Sequence, residues 1–280
     1  MNQMSAPDHM CPGNPQDISP EETLVAVRRI AEAETVEQVW TLTVAALSTY
    51  GFERVNYGLT RCQTSCASGG GNIGDPNDAL FLSTHALDEV REHHMSGRYR
   101  RMPEYRWVIE NTGACSWRWI WDELEAGRLS AEEAQAMEEI RHKRRRAGYS
   151  VSFPAGAGRT KGAMGLAAER GVSQDAVDTL WAKHEDALLS ICNMAHFRIC
   201  QLPMPVPGVA LTDRQRALLE WVADGKSMQD ICVLTGLSMS AVEKSLRRAR
   251  DALMVETTAQ AVAKASFLNQ MFIIDGMDLR

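Results

Sequence analysis

A chain of 280 residues, 45% hydrophobic and 24% charged, has room for two globular domains and the composition to fill their cores. A net charge of −6 excludes a uniformly basic nucleic-acid binder, and no apolar run reaches the roughly 20 residues of a membrane span. Seven cysteines, an odd number, with no signal-peptide pattern indicate reduced cytoplasmic thiols and not a disulfide framework.

Residues 1–19 are polar, carry Pro and Gly, and read as a mobile tail. Pro20–Tyr50 reads as two helices. Pro20 suits a first turn, and Leu24, Val27, Ile30 and Ala31 recur at helical spacing; Val36, Val39, Trp40, Leu42, Val44 and Leu47 continue beyond a break at Ala33–Thr35. Phe52–Arg61 alternates apolar and polar as a half-buried strand does, and Gln63–Asp78 is a loop. Cys62 and Cys66 have the spacing of a redox pair or half a metal site, but no second Cys/His pair with zinc-like spacing follows.

A short strand at Ala79–His85 leads to a helix over Ala86–Ser96. Pro103–Thr112 runs toward Trp117, Trp119 and Trp121, whose alternation would prevent all three from facing one side of a strand. Ser130–Ala147 is a charged helix whose basic end, Arg141–Arg146, is a solvated terminus favoured by the helix dipole. Gly148–Pro154 and Lys161–Glu169 form a strand pair, and Ser173–Cys200 is a long helix with Leu180, His184, Leu188, Ile191 and Cys192 inward. A Pro-rich linker covers 201–210. This order implies an α/β/α sandwich around an antiparallel sheet over residues 20–200, within an α+β chain.

Residues 211–273 read as all-helical. Thr212 with Gln215 is a capping box, and Leu218, Leu219 and Val222 form a stripe that stops before Gly225. Ser227 with Asp230 caps a second helix that turns Ile231 and Leu234 inward and ends at Gly236. A third begins at Ser238, with Val242, Leu246, Ala249 and Leu253 on one face and Glu243, Lys244, Arg247, Arg248 and Arg250 on the other. A short helix, a Gly turn and a basic amphipathic helix form the helix-turn-helix plan, whose second helix enters the DNA major groove. A last helix over Thr258–Met271 aligns Ala261, Ala265, Leu268 and Met271. Residues 205–280 hold nine Lys/Arg and nine Asp/Glu, so the charge of −6 lies on residues 1–204, and DNA binding would depend on a local basic face.

The stretch from Leu211 to Ala265 resembles the four-helix DNA-binding domain of LuxR-type transcription regulators. The opening LT-x-R, the "AxGKS" turn and the "GLS" turn fall in place without gaps, although Gln215, Ala241 and Ser245 depart from the residues usual there. The resemblance implies a DNA-contacting set of Lys226, Ser240, Glu243, Lys244, Arg247 and Arg248. Arg247 would bridge guanine O6 and N7, Glu243 would accept from cytosine N4, and Lys244 and Arg248 would meet phosphate. It also implies a homodimer joined through the last helix, an inverted-repeat operator on double-stranded DNA with half-sites roughly 10 base pairs apart, RNA polymerase as a further partner, and activation.

Residues 20–200 resemble the autoinducer-binding domain of the same family, anchored on "SGRYRRMPEYRWVIENTGACSW", in which Pro103 and Trp117 keep the family spacing. The resemblance implies that Trp117 donates its indole N–H to the carbonyl of an acyl-homoserine lactone. The family's Asp, which accepts from the ligand amide, is replaced by Met102; the usual aromatic contacts fall on His85, Glu89 and His93, and a strand glycine falls near Ser150. A thioether is a weak acceptor, and an unmet buried amide costs roughly 1–3 kcal/mol. The ligand is therefore lactone-like, of another kind, or absent. The competing readings are a Trp117 that is ordinary core and histidines 85 and 93 that are structural.

No Gly-rich phosphate loop, G-x-S-x-G elbow or metal-spaced cluster marks an enzyme or a cofactor site. Three functions are consistent with the sequence: a ligand-gated regulator, a ligand-independent one, and an interaction protein that inhibits a related regulator by forming mixed dimers.

Overall fold

A computed structural model of the chain describes residues 18–60, 79–84, 98–141, 147–154, 160–204 and 211–272. Helix α1 (Pro20–Glu32) starts on a capping box between Ser19 and Glu22, and α2 (Val36–Thr49) starts on Thr35, whose hydroxyl accepts from the Gln38 amide. These caps satisfy donors that a helix start leaves unpaired. Leu24 is 67% exposed, contrary to the expected stripe. The inward face of α1 is set by Thr23 and Ile30, because the Thr23 hydroxyl meets the Tyr50 hydroxyl at 2.8 Å and turns Leu24 to solvent.

Strands β1 (Phe52–Thr60), β2 (Ala79–Ser83), β3 (Gly113–Ser116), β4 (Gly148–Ser152) and β5 (Lys161–Ala168) form one antiparallel sheet in the order β2-β1-β5-β4-β3. Helices α3 (Pro103–Glu110), α4 (Arg118–Glu125) and α5 (Ala131–Arg141) lie between β2 and β4 in sequence, and α6 (Gln174–Gln201) follows β5. Alternation along the strands divides the sheet into two faces. Tyr57, Tyr149 and Phe153 face α6, where Trp181 stacks on Tyr149 at 4.0 Å between centroids and His196 stacks on Phe153 at 4.2 Å. Asn56, Gly58, Ser150, Ser152, Ala163 and Gly165 therefore face the other way. There the Ser152 hydroxyl donates to the carbonyls of Val108 and Asn111 and ties α3 to β4.

Two helices differ from their expected form. Trp117 is the N-cap of α4, and Trp119 and Trp121 lie on that helix, so strand alternation does not govern the three. In α6, Val177, Trp181, Leu188, Ile191 and Cys192 are buried, whereas Leu180 and His184 are only half-buried. His184 sits at a kink with φ −126°, but Val177, Trp181, Leu188, Ile191 and Ala195 keep regular helical spacing through it, so the buried stripe runs through Trp181 and leaves Leu180 at its edge. The expected loop Gln63–Asp78, the helix Ala86–Ser96, Cys62, Cys66 and residues 142–146 of the basic run lie outside the described residues.

The C-terminal region contains α7 (Asp213–Ala223), α8 (Met228–Thr235), α9 (Met239–Ala252) and α10 (Thr258–Phe267). Capping boxes open α7, α8 and α10, and Ser238 caps α9 through the Ala241 amide. Leu218, Leu219, Ile231, Val242, Leu246, Ala249, Leu253, Ala261, Ala265, Leu268 and Met271 are buried. Leu234 is 51% exposed, which corrects its expected inward position. Helix α8 ends one residue later, and Leu237, beyond the turn, packs on the core instead. The end of α6 is clasped to the end of α10. Met204 N–H donates to the Leu268 carbonyl at 2.9 Å, and Asn269 Nδ2 donates to the carbonyls of Cys200 and Leu202 at 2.7 and 3.1 Å. No described helix is long and apolar enough to cross a membrane.

Candidate DNA-reading helix and ligand face

Gly236 adopts φ +69° between α8 and α9, a left-handed conformation that costs glycine little and other residues more. This turn sets the direction of α9. Because Val242, Leu246 and Ala249 are buried, Ser240, Glu243, Lys244, Arg247 and Arg248 stand on the solvent side, and Lys226 is exposed just before α8. No ion pair joins Glu243 to Arg247 among the described residues, which leaves both heads available for an external partner. Three cationic heads and one carboxylate on one turn-spaced face match the chemistry of a DNA groove.

On the sheet face turned away from α6, one row across four strands reads Cys115, Ser150, Gly165 and Asn56. Trp117 lies against this row. Its indole N–H donates to the Ser150 hydroxyl at 2.9 Å, so the two expected ligand contacts are paired with each other. A Cβ on Gly148 would lie 2.6 Å from Trp117 Cζ3 and would also collide with the Leu166 carbonyl. Gly148 therefore makes room for the indole, two residues before the position indicated by the sequence.

A polar network holds the backbone beside Trp117. The Ser116 hydroxyl donates to Asp178 at 2.7 Å, Gln174 Nε2 donates to Ser116 and Asp178, and Arg118 donates to Asp178 and Asp175. Burial opposes ionisation of Asp178, but hydrogen bonds from Gln174, Ser116 and Arg118 hold its carboxyl below the usual range. Burial and the Asp178 charge push the Tyr149 phenol up to about 12.

Met102 is half-buried and is the N-cap of α3 with no side-chain cap bond. Two residues on, Glu104 has a buried Oε2 with no hydrogen-bond partner among the described residues. Burial, helped by the charge of nearby Glu133, raises its carboxyl from 4.5 to about 7. Burial of Glu133 acts in the same sense, but Arg106, at 2.7 Å, and Ser130 more than offset it and hold that carboxyl below its usual range. Burial and the Glu104 charge push the Cys115 thiol up to about 11, which makes it a poor nucleophile. His85, Glu89 and His93 lie outside the described residues. Among the described residues no group of His, Cys, Asp and Glu could hold a metal. Sequence reasoning missed Glu104 and Gly148, since burial and close approach come from distant segments. The one local signal was a glycine opening the strand that carries Ser150.

Residues 35–199 match the family model of the autoinducer-binding domain, and residues 210–253 match that of sigma-70 region 4, which also contains a helix-turn-helix. No curated protein matches the chain. Among solved structures, SdiA of Escherichia coli is similar over 90% of this chain and 99% of its own, at 14% identity and a TM-score of 0.46. SdiA in complex with octanoyl-rac-glycerol is similar over 89% of this chain and 94% of its own, at 14% identity and a TM-score of 0.45. CepR2 of Burkholderia cenocepacia, an N-acylhomoserine lactone-dependent LuxR-family transcription factor, is similar over 63% of this chain and 94% of its own, at 15% identity and a TM-score of 0.46. At that similarity these structures bear on neither ligand nor operator.

Proposed function

From the premise that this chain belongs to the LuxR-type family of autoinducer-binding transcription regulators, we propose that it is a dimer that reads an inverted-repeat operator through α9. The observation that carries this reading is the division of α9 into a buried face, Val242, Leu246 and Ala249, and an exposed face, Glu243, Lys244, Arg247 and Arg248. Arg247 and Glu243 read base edges; Lys244, Arg248, Ser240 and Lys226 position the helix on the backbone. The protein is no enzyme, works in the cytoplasm and acts with RNA polymerase.

The test is selection of bound duplexes from a random library. The wild type returns paired half-sites about 10 base pairs apart. Arg247→Ala relaxes the choice at one base pair of each half-site, whereas Arg248→Ala lowers affinity for all sequences alike. Uniform loss in both variants would refute the base-reading role. Equal binding to a single half-site would refute the dimer.

The N-terminal domain takes a small molecule on the sheet face beside Trp117. Two observations favour a ligand other than an ordinary acyl-homoserine lactone: the Trp117 donor is already taken by Ser150, and the residue before Pro103 is Met102. The same two observations favour the second reading, a regulator that needs no ligand. Operator binding by ligand-free protein, unchanged by extract of the source culture, would establish that second reading.

A further inference from the structure

The part of the sheet face nearest Trp117 is built from small side chains, with Asn56, Phe81 and Lys161 farther along the same face. Cys115, Ser150 and Gly165 form one row, and Ser152, Ala163 and Gly58 form the next. Small residues alone make room without giving it a purpose. Two buried polar atoms supply the chemistry. Glu104 Oε2 has no hydrogen-bond partner among the described residues, and neither does Oγ1 of Thr60, which is fully buried and follows Asn56 and Gly58 on the same face of β1. A buried polar atom left unpaired costs free energy that a native fold seldom leaves uncompensated.

The charges beside Glu104 are unbalanced. Its carboxyl lies near that of Glu133, and the cation paired with Glu133 is Arg106, whose Nε meets Oε1 at 2.7 Å. The Glu104 carboxyl accepts from its own backbone amide, but within the described residues no ion pair reaches it, and its Oε2 and Thr60 Oγ1 stay unpartnered. Within the described residues Glu104 thus has no cation beside it where burial makes its charge costly, because the buried ammonium of Lys161, opposite Thr60 on this face, is held by the Asn111 and Phe153 carbonyls. An anionic ligand would be repelled. A neutral acceptor would meet only lone pairs when the carboxyl is ionised. A neutral donor would satisfy Oε2 and leave the charge unmatched.

We propose that Glu104 is the recognition residue of this face, and that the small molecule bound there presents a protonated nitrogen whose N–H donates to Oε2. This rests on the reading of the sheet face as a ligand site. It adds the ligand's charge and the residue that selects it. Glu104 lies one helical position beyond Pro103, so this recognition is distinct from an acceptor at position 102.

The experiment measures calorimetric binding of three probes with one apolar chain and different heads, hexylamine, hexan-1-ol and hexanoate, to the full chain and to Glu104→Gln. Hexylamine is expected to bind the wild type about tenfold or more tightly than hexan-1-ol, the scale of a charge-assisted hydrogen bond. Hexanoate is expected to bind least. Glu104→Gln keeps the shape of the side chain and should bring amine and alcohol within about threefold of each other. Equal binding of amine and alcohol to the wild type, or a preference for amine that survives in Glu104→Gln, overturns the proposal while leaving the ligand site standing. Failure of all three probes to bind the wild type overturns the ligand site and the proposal with it. The ranking on the wild type holds whether or not the variant folds.

Discussion

The indole N–H of Trp117 points at the Ser150 hydroxyl at 2.9 Å, across the gap between the start of α4 and strand β4. In this protein the donor expected to read a ligand carbonyl is held by the protein itself. A ligand that uses Trp117 must displace or share Ser150.

Ser150→Ala removes the acceptor and leaves the half-buried indole N–H unpaired. The expected loss is about 1 kcal/mol of unfolding free energy, measured by urea denaturation. A smaller loss with unchanged tryptophan fluorescence would mean that solvent satisfies the indole equally well.

Gly148 and Gly165 lie on adjacent strands beside the same indole, and they should respond differently to an added methyl. At Gly148 a Cβ would fall 2.6 Å from Trp117 Cζ3, whereas at Gly165 the nearest Trp117 atom is 3.9 Å away. Gly148→Ala should destabilise by roughly 1–3 kcal/mol and shift Trp117 fluorescence, as overpacking does. Gly165→Ala should change stability by less than about 1 kcal/mol. Equal effects would show that Trp117 does not rest on Gly148.

Asn269 joins the end of α6 to the end of α10. It adopts φ +51°, a conformation that Asn tolerates better than most residues, and its side chain donates to Cys200 and Leu202 carbonyls. Asn269→Gly keeps the backbone conformation and removes both side-chain bonds, at an expected cost of about 1–2 kcal/mol. Amide hydrogen exchange should quicken at Leu202 and Met204. Unchanged protection there would mean that the Met204–Leu268 backbone bond holds the clasp alone.

Glu104 makes stability fall with rising pH. Its carboxyl is raised from 4.5 to about 7, so between those values the folded protein keeps a proton that the unfolded chain has released. The folded state then loses ground as pH rises through this window and levels off above about 7, by at most about 3 kcal/mol. Glu133, held below its usual range, contributes the opposite slope, with stability lost as pH falls through the acid range. Subtracting the unfolding free energy of Glu104→Gln from that of the wild type at pH 5 and pH 8 isolates Glu104. The variant should gain relative to the wild type at the higher pH; a constant difference would show that Glu104 is solvated.

Much of the DNA-binding region could be read directly from the sequence because its determinants are local. Thr212 with Gln215, Ser227 with Asp230 and Ser238 place three helix starts through neighbours three residues away. Gly236 marks the turn, and Val242, Leu246 and Ala249 assign the buried face of α9 by spacing alone. In the N-terminal domain the alternation of strands and helices was also local, and so the antiparallel sandwich was legible.

What tertiary structure decided depends on residues far apart in sequence. Leu24 is exposed because Thr23 meets Tyr50, and Trp181 is buried because it stacks on Tyr149 of the sheet. Strand order places Ser150 beside Gly165 and under Trp117, and packing of α3 buries Glu104 Oε2 without a hydrogen-bond partner among the described residues. Caps and stripes act over one or two helical turns. Partnership between side chains 33 residues apart, as for Trp117 and Ser150, exists only once the sheet has formed.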